Sequence, residues 1–117
     1  MDIFDKIDSA LSTVFESYYR YMPEFEEGAE PEIYAVYNCR WHDTQYASGK
    51  AETRQFYVSV SVFSPSEDLS LYDKTQTAME SIDAISTFSG VTDLSQSGVY
   101  PNKKMIVMDF IVYEERN

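Results

Sequence analysis

Residues 55–64 carry the strongest structural pattern of the chain, a strict alternation of side chains in the sequence QFYVSVSVFS. Successive side chains of a β-strand leave opposite faces of the sheet, so this pattern predicts a strand with one apolar face. That face holds Phe56, Val58, Val60 and Val62. The opposite face alternates serines with aromatic rings, namely Tyr57, Ser59, Ser61 and Phe63. Such a mixture is typical neither of a protein core nor of a purely solvated surface.

Length and composition narrow the class of protein. The 117 residues predict a single domain over residues 1–117, with enough chain for one hydrophobic core. Ten tyrosines and seven phenylalanines are many for this length, so some rings should lie at the surface, where they favour interfaces. The net charge of −11 disfavours binding to nucleic-acid phosphates and to anionic membranes.

Targeting and redox signals are sparse. One cysteine permits no internal disulfide, which is typical of a reducing compartment. Asp2, Asp5 and Asp8 remove any basic start for a signal peptide, and no apolar run is long enough to span a membrane. We therefore expect a soluble protein in the cytoplasm where it is made.

Periodicity and turn residues predict the other elements. Helical spacing predicts one helix over residues 2–21 and a second that ends near residue 84. The second helix has two candidate N-caps, Ser64 with Glu67 in a capping box, or Asp68. Strands are predicted at residues 32–41, 55–64 and 103–114, with a short, less distinct one within 85–94. Residues 22–31, 42–54 and 96–102 are predicted to be loops.

This order of elements predicts an α+β fold, an antiparallel or mixed four-stranded sheet with two helices packed on one face. The helices should cover the apolar face of residues 55–64 and the matching face of the last strand, which holds Ile106, Met108, Phe110 and Val112. The opposite sheet face would then stay uncovered within one subunit. Because single domains rarely leave such a surface in water, we expect self-association or a partner there.

The predicted long loop at residues 42–54 is the main candidate for binding. Arg40, Trp41, Tyr46 and Arg54 lie within or beside it, and these residue types commonly anchor protein interfaces. The aromatic residues could equally hold the loop against its own sheet.

Catalysis has little support. The sequence has no nucleophile motif, no glycine-rich phosphate loop and no cluster of cysteine and histidine. His42 beside Asp43 could act as a base, but a simple loop histidine is the plainer interpretation. Asp109 interrupts an apolar strand face, where pairing with a neighbour's Arg or Lys is favoured over catalysis. We therefore expect neither an enzyme, nor a metal site, nor a cofactor.

The arrangement as a whole resembles that of a known family. An N-terminal helix precedes PEIYAVY at residues 31–37, a long polar loop, FYVSVSVFS at 56–64, a helix, a weak strand and a closing strand at 105–114. This order and strand texture, over nearly the whole chain, resembles the small tail-terminator or tail-completion proteins of long-tailed phages and prophages. The resemblance implies an α+β sandwich whose copies form a ring, usually a hexamer. Such a ring caps the tail tube, ends its polymerisation and joins the tail to the head connector.

The resemblance also implies partners and a location. The partners would be further copies of the chain, the tail tube protein and the head–tail connector, in the neck or tail of the virion after assembly in the host cytoplasm. DNA would pass through the ring without sequence-specific binding, and no membrane or cofactor would be involved. The interface with other subunits or with the tube would fall on the loop at 42–53 and on the uncovered sheet face. These regions supply the candidate residues Arg40, Trp41, Tyr46, Lys50, Arg54, Tyr57, Ser59, Phe63 and Asp109.

Three other functions are compatible with the sequence. The chain could be another neck or head-completion protein of similar size. It could be an acidic inhibitor that mimics DNA, although its carboxylates are scattered outside residues 24–32. A small hydrolase or ligand-binding sandwich would need a convergent polar set that the sequence does not suggest.

Overall fold

A computed structural model of the chain describes residues 2–47, 50–66, 68–93 and 103–115. Within these residues, two helices accompany one five-stranded mixed sheet of strand order β1-β2-β3-β5-β4. Strand β1 runs parallel to β2, and the other neighbouring strands are antiparallel. The elements are α1 (Ile3–Ser12), β1 (Tyr18–Arg20), β2 (Tyr34–Ala47), β3 (Lys50–Ser64), α2 (Leu69–Glu80), β4 (Ile85–Asp93) and β5 (Lys104–Glu115). The general α+β class is confirmed, but the predicted number of four strands and their order are wrong.

Helix α1 is shorter than its apolar pattern predicts. Asp2 caps it by accepting a hydrogen bond from the backbone N–H of Asp5 at 2.9 Å. At the other end, the hydroxyls of Ser12 and Thr13 donate to the carbonyls three residues earlier, and this side-chain bonding competes with helix continuation. The prediction of a helix to residue 21 is therefore wrong, and Tyr18–Arg20 instead pairs with residues 35–37 as strand β1.

The prediction of a long loop at residues 42–54 is also wrong. Strands β2 and β3 continue through it as an antiparallel ladder, in which His42 pairs with Gln55 and Ala47 with Lys50. Residues 48 and 49, between the strands, lie outside the described residues. The ladder consists of backbone hydrogen bonds, so it can extend into residues that lack the apolar alternation of residues 55–64.

Helix α2 begins at Leu69, because Asp68 rather than Ser64 is its N-cap. The Asp68 carboxylate accepts a hydrogen bond from the Leu71 N–H at 3.1 Å. Ser64 lies at the end of β3 and donates to the Ser66 carbonyl instead, while Glu67 lies outside the described residues. The helix ends at Glu80, four residues earlier than expected, and the chain turns at Asp83, whose φ is positive at 62°.

The core lies between the helices and one face of the sheet, as the alternation predicts. Every residue of the apolar faces of β3 and β5 named above is buried, and the helices contribute Ile7, Leu11 and Met79 to the same cluster. Each buried Val or Leu side chain contributes about 1.5–3 kcal/mol to stability relative to an exposed one. Strand β5 lies inside the sheet, between β3 and β4.

Candidate interface on the open sheet face

The face of the sheet that points away from both helices is the candidate functional site, and we call it the open face. The strand register aligns Asn38, Ser59, Asp109 and Phe88 in one row across four strands. The next row holds Arg40, Tyr57, Ile111 and Ile85. Further members on the same side of their strands are His42, Gln55, Ser61, Gly90, Val107 and Tyr113.

One end of this side of the sheet is closed by an aromatic cluster that the sequence did not reveal. Tyr34 is fully buried, stacks on Phe63 with ring centroids 4.8 Å apart, and is flanked by Tyr19 and Phe25. The Tyr34 hydroxyl donates to a Glu30 carboxylate oxygen at 2.8 Å, so the acidic loop is drawn against the sheet.

A lysine holds the same loop from the other side. The Lys103 ammonium donates to the backbone carbonyl of Pro31 at 3.0 Å and to that of Glu32. Because this end is covered by the chain itself, Phe63 is only 5% exposed in the single subunit, and its place in an interface stays a prediction.

The middle of the open face is a shallow concavity of about 470 Å³. Its polar lining comes from Asn38, Arg40, Tyr57, Ser59, Thr87 and Asp109. Four of the predicted interface residues therefore lie together, although they come from three different strands. Asp109 is half-buried and Arg40 is exposed.

The two charged side chains of this concavity have no partner among the described residues. Neither the Arg40 guanidinium nor the Asp109 carboxylate forms a hydrogen bond or an ion pair within that part of the chain. The backbone carbonyl of Asp109 does accept a hydrogen bond from the Thr87 hydroxyl at 3.2 Å, at the irregularity in β4 between Ser86 and Phe88. The two opposite charges are thus left available for groups outside the subunit.

The rim of the open face is apolar. Ile85, Phe88 and Tyr113 are 56%, 57% and 55% exposed, respectively. The Phe88 ring lies across Gly90, where an added Cβ would meet it at 3.0 Å. Glycine at this position therefore permits the ring to lie along the sheet. Three large exposed side chains on one face form a surface that water solvates poorly.

The open face differs from the rest of the molecule in charge. Among the open-face residues named above, only Arg40 and Asp109 are charged at neutral pH, and their charges cancel, while Glu115 follows at the end of the same side of β5, opposite Thr53. The chain as a whole carries −11, and several of its carboxylates lie in the exposed loop before β2, as in Glu24, Glu26 and Glu27. Low charge is characteristic of the centre of protein interfaces.

Two other predicted interface residues lie on the helix-covered side. Trp41 packs against Phe4 and Phe56, with ring centroids 6.2 and 6.3 Å away, and is still 52% exposed. Arg54 forms an ion pair with Asp43, with Nε 2.6 Å from Oδ1, and this carboxylate raises the pKa of Arg54. Neither residue joins the open-face group.

The last two candidates lie in the β2–β3 hairpin. Tyr46 pairs with Ala51, and Lys50 pairs with Ala47, near the end of the ladder. Their side chains fall outside the described part of the structure.

Tyr37 and Cys39 are buried on the covered side of the sheet. The Tyr37 hydroxyl donates to an Asp8 carboxylate oxygen at 2.8 Å, and burial raises the pKa of Tyr37 to about 12. Burial likewise raises the pKa of the Cys39 thiol to about 11, as expected for a small buried apolar residue and not a reactive nucleophile.

Searches for other kinds of site gave negative results within the described residues. No group of three or more His, Cys, Asp or Glu side chains is placed to hold a metal ion. Neither described helix has the length and apolar character needed to cross a membrane. In comparisons with known proteins, no family model matches the chain and no curated protein is significantly similar to it.

Proposed function

We propose that this chain is a structural subunit of a phage or prophage tail, which forms a ring that caps the tail tube, ends its polymerisation and joins the tail to the head connector. The observation that carries the proposal is the open face, a sheet surface with few charges and a partly apolar rim on a strongly acidic subunit. A surface of this kind supports a function in which copies of a protein assemble with each other or with another protein.

The chemistry of the concavity supports assembly over catalysis. An enzyme site requires a nucleophile or base oriented by a second group, near donors that stabilise developing charge. Here the described polar groups are one guanidinium, one carboxylate, an amide and hydroxyls, without a hydrogen-bonded pair of acid and base among them. Such a set suits recognition of a complementary protein surface.

The β2–β3 hairpin offers a second surface for assembly. Strand β5 pairs with β3 as far as Thr53, and beyond it the described ladder continues only between β2 and β3, to Lys50. A two-stranded ribbon is marginally stable by itself in water, so contact with a neighbour would stabilise it. Ring closure uses two different surfaces on each copy, and the hairpin and the open face can fill these roles.

The charge balance also supports a conduit. A ring of subunits that each carry −11 repels the phosphates of DNA, so DNA can slide through without adhering. The middle of the open face presents one carboxylate, Asp109, and one guanidinium, Arg40, on opposite sides of β3. It therefore lacks the row of carboxylates with which an inhibitor would imitate DNA.

Deletion of the gene from the phage or prophage that encodes it tests the proposal. Electron microscopy of the lysate should show tails of variable, excessive length and full heads without tails, because tube growth no longer stops and the connector has no ring to meet. Supplying the wild-type chain from a plasmid should restore tails of uniform length.

Two outcomes would count against the proposed role. Tails of normal length that fail to join heads would indicate a neck or head-completion protein instead. Normal infectious particles in the deletion strain would remove the chain from tail assembly altogether.

A further inference from the structure

We infer that the free protein forms a two-fold dimer, in which the open faces of two copies pack together and Arg40 of each copy pairs with Asp109 of the other. This inference concerns the protein before it assembles, and it depends on the same face as the proposed function. It commits to a second copy of this chain as the occupant of that face.

Charge is the first argument for a second copy. Two molecules that each carry −11 repel one another, and most pairs of their surfaces would bring carboxylates together. The middle of the open face reduces this repulsion because its two charges, Arg40 and Asp109, cancel, and Glu115 lies only at the end of the same side of β5. A basic partner would instead be attracted to the acidic parts of the surface, which lie elsewhere.

Symmetry is the second argument. Arg40 lies opposite Tyr57 on one side of β3, and Asp109 lies opposite Ser59 on the other side of it. The two residues are thus about 10 Å apart across the sheet and about 7 Å apart along the strands, with the middle strand between them. A two-fold axis in the plane of the interface, crossing β3 between Tyr57 and Ser59, places each Arg40 over the Asp109 of the other copy. Such an isologous contact needs no further surface.

Reach and packing are compatible with this pairing. Sheets that pack face to face lie about 10 Å apart, a gap that an arginine and an aspartate can span together. Each charged group is then withdrawn from water only where its counter-charge is present. The exposed rim formed by Ile85, Phe88 and Tyr113 provides the apolar contact around the two ion pairs.

The available area predicts a reversible dimer. The exposed part of the four strands measures about 20 by 30 Å, or about 600 Å² for each copy. The total of about 1,200 Å² is at the lower end for specific complexes, where affinities are commonly micromolar. A contact of this strength can cover the face in the free protein and still open when the assembly partner arrives.

Charge exchange tests the dimer directly. Light scattering and sedimentation velocity between about 1 μM and 1 mM should show wild-type dimers with a micromolar midpoint. Arg40→Glu and Asp109→Lys should each weaken dimerisation at least about tenfold, because each replaces an attraction by a repulsion on both sides of the axis. An equimolar mixture of the two single variants should recover dimers, since both contacts are then complementary. The double variant should pair with itself but not with the wild type.

Matched controls lie on the other side of the molecule. Lys74→Glu and Asp73→Lys make the same changes in charge on the exposed side of α2, and they should leave the dimer unchanged. Circular dichroism of every variant verifies that it is folded.

The inference is overturned if the wild type stays monomeric up to about 1 mM, or if the mixture of single variants fails to recover dimers. It is likewise overturned if larger oligomers form that do not respond to these charge changes. The gene-deletion phenotype tests the tail function independently, so either proposal can fail while the other stands.

Discussion

The two faces of the sheet differ in burial and in the pairing of their polar groups, although the same strands form both. On β3, residues 56, 58, 60 and 62 are apolar and buried against the helices, while their immediate neighbours at 57, 59 and 61 are only partly buried. On the covered side, the polar Tyr37 finds Asp8 within the subunit. On the open side, Arg40 and Asp109 have no such partner among the described residues. The comparison teaches that the fold supplies a partner for Tyr37 on the covered side, whereas on the open side it leaves two opposite charges without a partner among the described residues.

Introducing a carboxylate should give the largest difference in stability between the covered face and the open face. Val60→Asp places a carboxylate in the fully buried core, and we expect it to cost more than about 4 kcal/mol and largely to prevent folding. Ser61→Asp, one residue away on the open face, should cost less than about 1 kcal/mol. Urea unfolding followed by circular dichroism measures both, and equal stabilities would mean that the two sides are not packed differently.

Two phenylalanines on neighbouring strands give the next contrast. Phe110→Ala removes a ring that is 1% exposed and should destabilise the protein by about 3–5 kcal/mol. Phe88→Ala removes an exposed ring and should cost less than about 1 kcal/mol when measured well below the dimer midpoint. Similar losses for the two variants would show that Phe88 belongs to the core of the single subunit.

Alkaline pH should lower the stability of the protein because Tyr37, on the covered face, is buried. The unfolded chain loses the Tyr37 proton near pH 10, while the folded protein keeps it until about pH 12. The folded state therefore binds more protons in this interval, and stability falls as the pH rises through it. Since one pKa unit corresponds to about 1.4 kcal/mol, the wild type should lose about 2 kcal/mol relative to Tyr37→Phe between these pH values. Parallel stability profiles of the two proteins would contradict this.

The Arg54–Asp43 ion pair should show the smallest effect. It lies on the helix-covered side of the hairpin, but both side chains are about one quarter exposed, at 27% and 24%. A double-mutant cycle with Arg54→Ala and Asp43→Ala should give a weak coupling that falls further in about 1 M salt. A strong coupling that does not respond to salt would mean that this region is as well shielded from solvent as the core.

Much of the fold could be predicted because its signals are local. The alternation in β3 and β5 assigned the correct residues to the core side, and Ile3, Ile7 and Leu11 marked the buried stripe of α1. The uncovered sheet face followed from the same pattern, as did the positions of Tyr57, Ser59 and Asp109 on it. Side-chain periodicity determines which side of an element a residue occupies, whatever its neighbours in space are.

The remaining features depend on contacts that leave little trace in the local sequence. Strand β1 exists because three residues find an unpaired edge of β2, and nothing in Tyr18–Arg20 itself indicates that partner. The sequence predicts a loop at 42–54, because the ladder of this hairpin is formed by backbone groups that every residue carries. The cover over Phe63 at one end of the open face includes Phe25 and the loop held by Lys103, and these two residues are far apart in the chain.

The sequence by itself therefore determined the two-sided character of the sheet, the apolar stripes of the helices and the net charge of −11. Only the tertiary structure decided how far the strands extend, which end of the open side is covered, and that Arg40 and Asp109 lie on opposite sides of one central strand. The reason is that the periodicity of apolar side chains is a property of neighbouring residues. Strand register and strand pairing depend instead on how well segments that are distant along the chain fit together.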